Sequence, residues 1–122
     1  MILVDTSVWI DHLRAGNREL SALLSRNAVL MHPFVLGELA CGNLANRNEV
    51  LELLADLPGA REAHHHEVLY FIETYRLMGR GIGYVDAHLL AATALNAPAK
   101  LWSFDRSLQK AAQDLKLHVD GV

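Results

Sequence analysis

The stretch Met1–Asp11, MILVDTSVWID, decides the fold class. Its first four residues are apolar and β-compatible and run straight into Asp5, the pattern of a short buried strand. Thr6 or Ser7 can cap the helix that follows, and Val8, Trp9 and Leu13 give that helix an apolar face. The same arrangement returns near the other end of the chain, where Lys100–Phe104 is a second apolar strand leading into Asp105. Between the two, helical and strand signals alternate. Asn17–Ser25 is helical with Leu20, Leu23 and Leu24 inward, and Ala28–Met31 is a further short strand. Pro33 suits the first turn of a helix through Ala40, with Gly42 as its stop. Asn46–Leu57 is a helix ended by Pro58-Gly59, and Ala60–His66 is ambiguous, an edge strand being one reading. Glu67–Met78 is helical with Leu69, Ile72, Tyr75 and Leu77 as packing residues, and Gly79–Gly83 breaks it. Tyr84–Asn96 and Ser107–Leu115 are helices, and Leu117–Val119 is a candidate last strand. Strands separated by helices imply an α/β sandwich, a central and mainly parallel sheet flanked by helices.

At 122 residues the expectation is a single domain spanning 1–122, long enough to bury one core. An apolar fraction of 52% with 20% charged residues is that of a globular protein. Cys41 is the lone cysteine, so no internal disulfide forms and a reducing compartment is expected. The start MILVD lacks the basic n-region of a signal peptide. No stretch reaches the roughly 18 apolar residues that span a bilayer, so a cytoplasmic location without membrane contact is expected. The net charge of -3 argues at first against a nucleic-acid partner. That objection weakens if carboxylates gathered at one site hold divalent metal, which reverses the local field.

Four acids invite that reading. In open α/β sheets ligands bind beyond the carboxyl ends of the strands, so Asp5 and Asp105 should both face that crevice. Asp86 lies in the first turn of a helix, where the helix dipole eases the crowding of negative charge. Glu38 sits between Leu36-Gly37 and Leu39-Ala40, an apolar setting in which an acid needs a partner. Against this, a strand-end Asp is often only the cap of the next helix, and Asp86 reads equally as an ordinary first-turn acid. If the four converge, repulsion matters: two such charges about 5 Å apart repel by roughly 3 kcal/mol at an effective dielectric near ~20. Such a cluster persists only with protons or a hard cation, and oxygen-only ligands favour Mg²⁺ or Mn²⁺.

The segments MILVDTSVWID, FVLGELACG, GRGIGYVDAHLLAAT and KLWSFDRSL, in this order, resemble the PIN-domain family over the whole chain, and within it the toxins of VapBC toxin–antitoxin pairs. The resemblance implies a PIN-like three-layer sandwich. It implies a metal-dependent endoribonuclease that hydrolyses RNA phosphodiesters with metal-activated water, using one or two Mg²⁺ or Mn²⁺ ions. The family's acidic quartet falls on Asp5, Glu38, Asp86 and Asp105. Asp5 and Asp86 are expected as principal metal ligands, Asp105 completes the site or binds a second ion, and Glu38 ligates or orients the water. Thr6 and Ser7 match the family's hydroxyls beside the first acid, and Ser103 stands where relatives often carry Thr. The resemblance also implies an RNA substrate, a VapB-type antitoxin partner and a homodimer. The competing readings are a catalytically silent PIN-like binding module, a PIN nuclease of RNA processing, and a phosphatase using Asp5 as nucleophile. The last of these wants a second Asp where Ser7 stands.

Arg80 and Arg106 flank two of the acids and are the candidates for RNA phosphate contacts, an ion pair with Asp86 or Asp105 being the other reading. His64-His65-His66 has no Cys or His partner at zinc spacing and reads as a solvated segment. His88 and His12 read as packing or surface residues, Cys41 as a buried small hydrophobe, and Trp9 and Trp102 as core. Gly79–Gly83 lacks the Gly-Lys-Ser/Thr ending of a phosphate-binding loop and reads as a tight turn aiming Asp86. Trp9, Leu13, Leu20 and Leu24, with Phe34, Leu36 and Leu39, exceed what a small core needs. Some of them are expected to line a groove for the antitoxin.

Overall fold

The structure, a computed structural model, describes all residues from Met1 to Val122. Its three strands are β1 (Ile2–Val4), β2 (Val29–Leu30) and β3 (Lys100–Trp102). Its helices are α1 (Thr6–Ala15), α2 (Arg18–Ser25), α3 (Pro33–Ala40), α4 (Arg47–Ala55), α5 (His65–Thr74), α6 (Tyr84–Leu95) and α7 (Arg106–Asp114). The sheet order is β2-β1-β3 and every pairing is parallel, so β1 is central. Leu3 pairs with Leu30 on one side and Leu101 on the other, and Val4 pairs with Trp102. A parallel sheet covered by helices is buried on both faces, which is why its strands are continuous apolar runs. Leu3, Val4, Val29 and Leu101 are accordingly closed off from solvent, packed with Val8, Trp9, Leu20, Val35, Leu89, Leu90 and Leu108. Each of these large side chains contributes on the order of 2 kcal/mol by leaving water. Trp9 and Trp102 both belong to this core, as their sequence surroundings imply.

Several element ends differ from expectation, each for a local reason. The strand leading to Asp105 stops at Trp102, because the backbone N–H groups of Phe104 and Asp105 donate to the Ser7 and Ser103 hydroxyls instead of to a ladder. The segment after Gly59 makes one parallel bridge, Met31 to Gly59, and no edge strand. The Asn96 amide takes the N–H and C=O of Arg61, at 3.1 and 3.0 Å, that a neighbouring strand would use. Leu117–Val119 likewise makes only an isolated bridge, between His118 and Leu101. Helix α5 ends four residues early because Arg76 turns left-handed (φ 53°) and the Leu77 N–H reaches back to Ile72 O at 3.0 Å. Val68 is its buried residue and Leu77 is buried just beyond its end, whereas Leu69 and Tyr75 are exposed and Ile72 is half-buried.

The N-cap of α3 is His32, a role hidden from the sequence reading. Its Nδ1 accepts the Phe34 N–H at 3.0 Å, so the neutral ring carries its proton on Nε2, which has no partner in the interior. Burial, opposed by the charge of Glu62 and aided by that of His88, lowers the His32 pKa below 6.5. A histidine held neutral by the fold binds its proton more readily when unfolded. Stability is therefore full above the unfolded pKa and declines as the pH falls through and below it. Thermal melts from about pH 7.5 to about pH 5.5 should show a falling Tm. His32→Asn keeps a capping oxygen but cannot titrate, so it should flatten that slope while losing some stability at the upper end. A slope as steep as that of wild type would remove His32 as its source.

Candidate active site

Asp5 follows the central strand, and its own N–H still donates to Trp102 O at 2.9 Å, so the sheet holds its backbone. The carboxylate is buried, and Oδ2 accepts the hydroxyls of Ser7 and Ser103, each at 2.7 Å. Both serines are themselves pinned. Ser7 Oγ accepts the Phe104 N–H and Ser103 Oγ accepts the Asp105 N–H, each at 3.0 Å, and Gln109 Nε2 donates to Ser103 O at 2.6 Å. No protein group donates to Asp5 Oδ1, so one oxygen of a rigidly held carboxylate stays free. The hydroxyls of Thr6 and Ser7 do not cap α1, contrary to expectation; Asp5 occupies the cap position, and its C=O accepts Val8 N–H. Both hydroxyls instead serve acids, since Thr6 Oγ1 donates to Glu38 Oε1 at 2.6 Å.

Asp86 sits in the first turn of α6, with Oδ2 accepting the Gly83 N–H at 3.0 Å. Its pKa is raised chiefly by burial; the Gly83 bond opposes this, and the charges of Asp5, Asp105 and Glu38 raise it further. Three acids distant in sequence thus bear on the charge of this one carboxyl. Asp105 caps α7, its Oδ1 accepting the Leu108 N–H at 2.9 Å, so the capping reading holds for one of its oxygens and leaves the other. The donors are hard oxygens alone, the set that suits Mg²⁺ or Mn²⁺. No three of the chain's His, Cys, Asp or Glu side chains stand close enough to enclose an ion between them. The oxygen-only donor chemistry, with Asp5 Oδ1 left without a protein donor, fits a hard divalent ion.

Other sequence candidates divide. Arg80 points away from the acids and pairs with Asp114 at the end of α7, Nη2 to Oδ2 at 2.5 Å. The alternative reading of Arg80, an ion pair with Asp86 or Asp105, does not hold, since its guanidinium pairs with Asp114. Arg106 is exposed at the start of α7 and makes no ion pair. His64, His65 and His66 are exposed; the rings of His64 and His66 stack, and His65 meets the Tyr84 hydroxyl. His88 is buried edge-on against Phe34 and Tyr84, a packing role, and His12 Nδ1 accepts the Asn17 N–H. Cys41 is exposed rather than buried, since it caps the end of α3 where the chain leaves the core. The Gly79–Gly83 turn does hold Asp86, through the Gly83 N–H, whereas Gln109, which supports Ser103, is a group the sequence marks only by its i+4 spacing to Asp105.

A groove of about 420 Å³ opens beside Glu38, lined among others by Ile10, Leu13, Arg14, Leu44 and Val50. Of the residues expected to line such a groove, Leu13 and Leu39 do. Trp9 and Leu20 are core, and Leu24, Phe34 and Leu36 are half-buried elsewhere.

The parallel sheet with Asp5 and Asp105 just beyond its strand ends belongs to a known class: the chain is a member of the PIN-domain family, whose model matches residues 2–114. It is similar to Ribonuclease VapC32 of Mycobacterium tuberculosis, in strain CDC 1551 / Oshkosh and in strain ATCC 25618 / H37Rv. In each case 47% of residues are identical over 114 residues, covering 93% of this chain and 92% of the relative.

Proposed function

We propose that this chain, acting as one domain over residues 1–122, is a VapC-type toxin endoribonuclease that hydrolyses RNA phosphodiesters at the acidic quartet. The observation that carries this is the buried Asp5 carboxylate at the end of the central strand, its Oδ2 held by Ser7 and Ser103 and its Oδ1 left without a donor. The similarity to a ribonuclease over 93% of the chain supports the same reading. Asp5 and Asp86 are the principal ligands for one or two Mg²⁺ or Mn²⁺ ions, and Asp105 contributes its uncapped oxygen. When bound, such an ion acts as a Lewis acid, activating water and neutralising charge on the phosphate. Ser7 and Ser103 hold Asp5 Oδ2, and Oδ1 would be the oxygen left to hold the ion. Thr6 holds one oxygen of Glu38, leaving the other to orient the attacking water. Water adds to phosphorus as the bond to the leaving sugar oxygen breaks. Arg106, free at the rim, contacts RNA phosphate. Purified chain should cleave RNA with Mn²⁺ or Mg²⁺ and stop when a chelator is added. Undiminished cleavage in chelator would sink the metal reading.

The partner is a VapB-type antitoxin. An apolar segment of it fills the groove beside Glu38, where a basic side chain neutralises the acids. Leu13→Asn places an amide in that groove without altering any of the four acids. It should weaken antitoxin binding by on the order of 2 kcal/mol, about thirtyfold, and leave metal-dependent cleavage intact. Unchanged antitoxin affinity would place the partner elsewhere. A second copy of the chain covers the exposed aromatic face of α5 and α6, where Tyr70 is 74% exposed beside Tyr75 and Leu95. No helix is long and apolar enough to cross a membrane, and with a lone free thiol the location proposed is the cytoplasm.

A further inference from the structure

The glycine-rich turn before α6 lies along one face of α7. At the far end of that helix Arg80 Nη2 donates to Asp114 Oδ2 at 2.5 Å, the chain's one ion pair. At the near end Gly81, in the left-handed region at φ +78°, approaches so closely that a Cβ there would stand 3.0 Å from Ser107 Oγ. Ser107 and Asp114 are seven residues apart, two turns of helix, and therefore share a face. Two residues beyond Gly81, the Gly83 N–H holds Asp86 Oδ2. Immediately before α7 stands Asp105, its cap. The turn is thus paired to α7 through Arg80 and lies close against it at the neighbouring Gly81, while it carries the group that aims Asp86, and Asp105 caps α7 itself.

We infer that Arg80 is a positioning residue: the Arg80–Asp114 pair and the Gly81–Ser107 approach set where Asp86 stands relative to Asp105, and so tune the affinity of the acidic site for a divalent cation. This rests on the quartet being the metal site. The pair is partly exposed, with side-chain exposures of 26% and 49%, so it adds little to global stability. Its loss leaves a folded chain in which the turn drifts and the two carboxylates no longer close on one ion. An RNA-contact role for Arg80 makes a different demand, because a guanidinium that serves phosphate must be free, and this one is engaged.

The test is Mn²⁺ binding to the full chain by calorimetry, with the Mn²⁺-induced rise in Tm as a second readout. Arg80→Ala and Asp114→Ala should each weaken Mn²⁺ on the order of tenfold, the lower end for partners outside a coordination shell. Their metal-free Tm values should stay near wild type. The charge-exchanged pair Arg80→Asp with Asp114→Arg should recover most of the affinity. Gly81→Ala, which disturbs the same fastening without touching charge, should weaken Mn²⁺ as well. With Mn²⁺ saturating, the KM for RNA should stay within about twofold of wild type in both single variants. Wild-type Mn²⁺ affinity in Arg80→Ala and Asp114→Ala overturns the inference. So does a raised KM in Arg80→Ala alone, which would make Arg80 an RNA contact. If the wild-type chain itself binds no Mn²⁺, the metal reading of the quartet falls first and this inference with it.

Discussion

Asp5→Asn should abolish RNA cleavage, with a loss on the order of a thousandfold or more, in a chain that folds as well as wild type. The two halves of that expectation come from the two oxygens of the carboxylate. Oδ2 accepts hydroxyls from Ser7 and Ser103, and an asparagine oxygen accepts the same two bonds in the same place. The sheet-side anchorage through Trp102 O involves only the backbone and is untouched. Oδ1, to which no protein group donates, becomes an NH₂ that cannot ligate a cation. The substitution therefore removes the charge and the free donor while keeping the shape. Single-turnover cleavage of RNA in Mn²⁺, beside a thermal melt of each protein, measures both halves. Near wild-type cleavage by the Asn variant would refute the site; inactivity with a collapsed fold would make Asp5 structural.

Asp86→Asn tests the influence of the other three acids without reference to activity. The folded state raises the Asp86 pKa above 3.8, chiefly by burial and further by Asp5, Asp105 and Glu38. A raised carboxyl pKa means that the ionised form is disfavoured in the fold. The stability it contributes is complete below the unfolded pKa and is lost as the pH rises through the folded one. At neutral pH the metal-free protein carries that loss. The neutral amide removes it, and its oxygen can still accept the Gly83 N–H. Because the residue is only half-buried, solvent screening limits the gain to about 1 kcal/mol, or about 4 °C in Tm. The gain should vanish near about pH 3, where Asp86 is protonated in both states. Mn²⁺ should raise the wild-type Tm by mass action and raise that of Asp86→Asn much less. An ordinary first-turn acid predicts the reverse sign, since losing it would weaken the helix start and leave the metal response whole.

Much of this protein was written in consecutive residues. Apolar runs ending in aspartate, with amphipathic helices between them, determined a parallel α/β sheet and put Asp5 and Asp105 at its carboxyl side, because strand direction and burial are local properties of the chain. The candidate quartet was legible through the resemblance of four segments to the PIN-domain family, since Glu38 and Asp86 stand on helices and not at strand ends. Tertiary structure decided everything that depends on which distant group arrives beside which. Ser103 comes from 98 residues away to bind Asp5 beside Ser7, and Glu38 comes from 32 residues away to meet the Thr6 hydroxyl, so that both hydroxyls serve acids and neither caps the helix. Asn96 captured the backbone of Arg61 and prevented an edge strand that its residues alone would permit. Arg80 found Asp114 rather than the nearer acids. Trp9 and Leu20 were drawn into the core, leaving Ile10 and Leu13 to line the groove, because a helix's burial is set by the two surfaces it packs between and its sequence shows only that it has an apolar side.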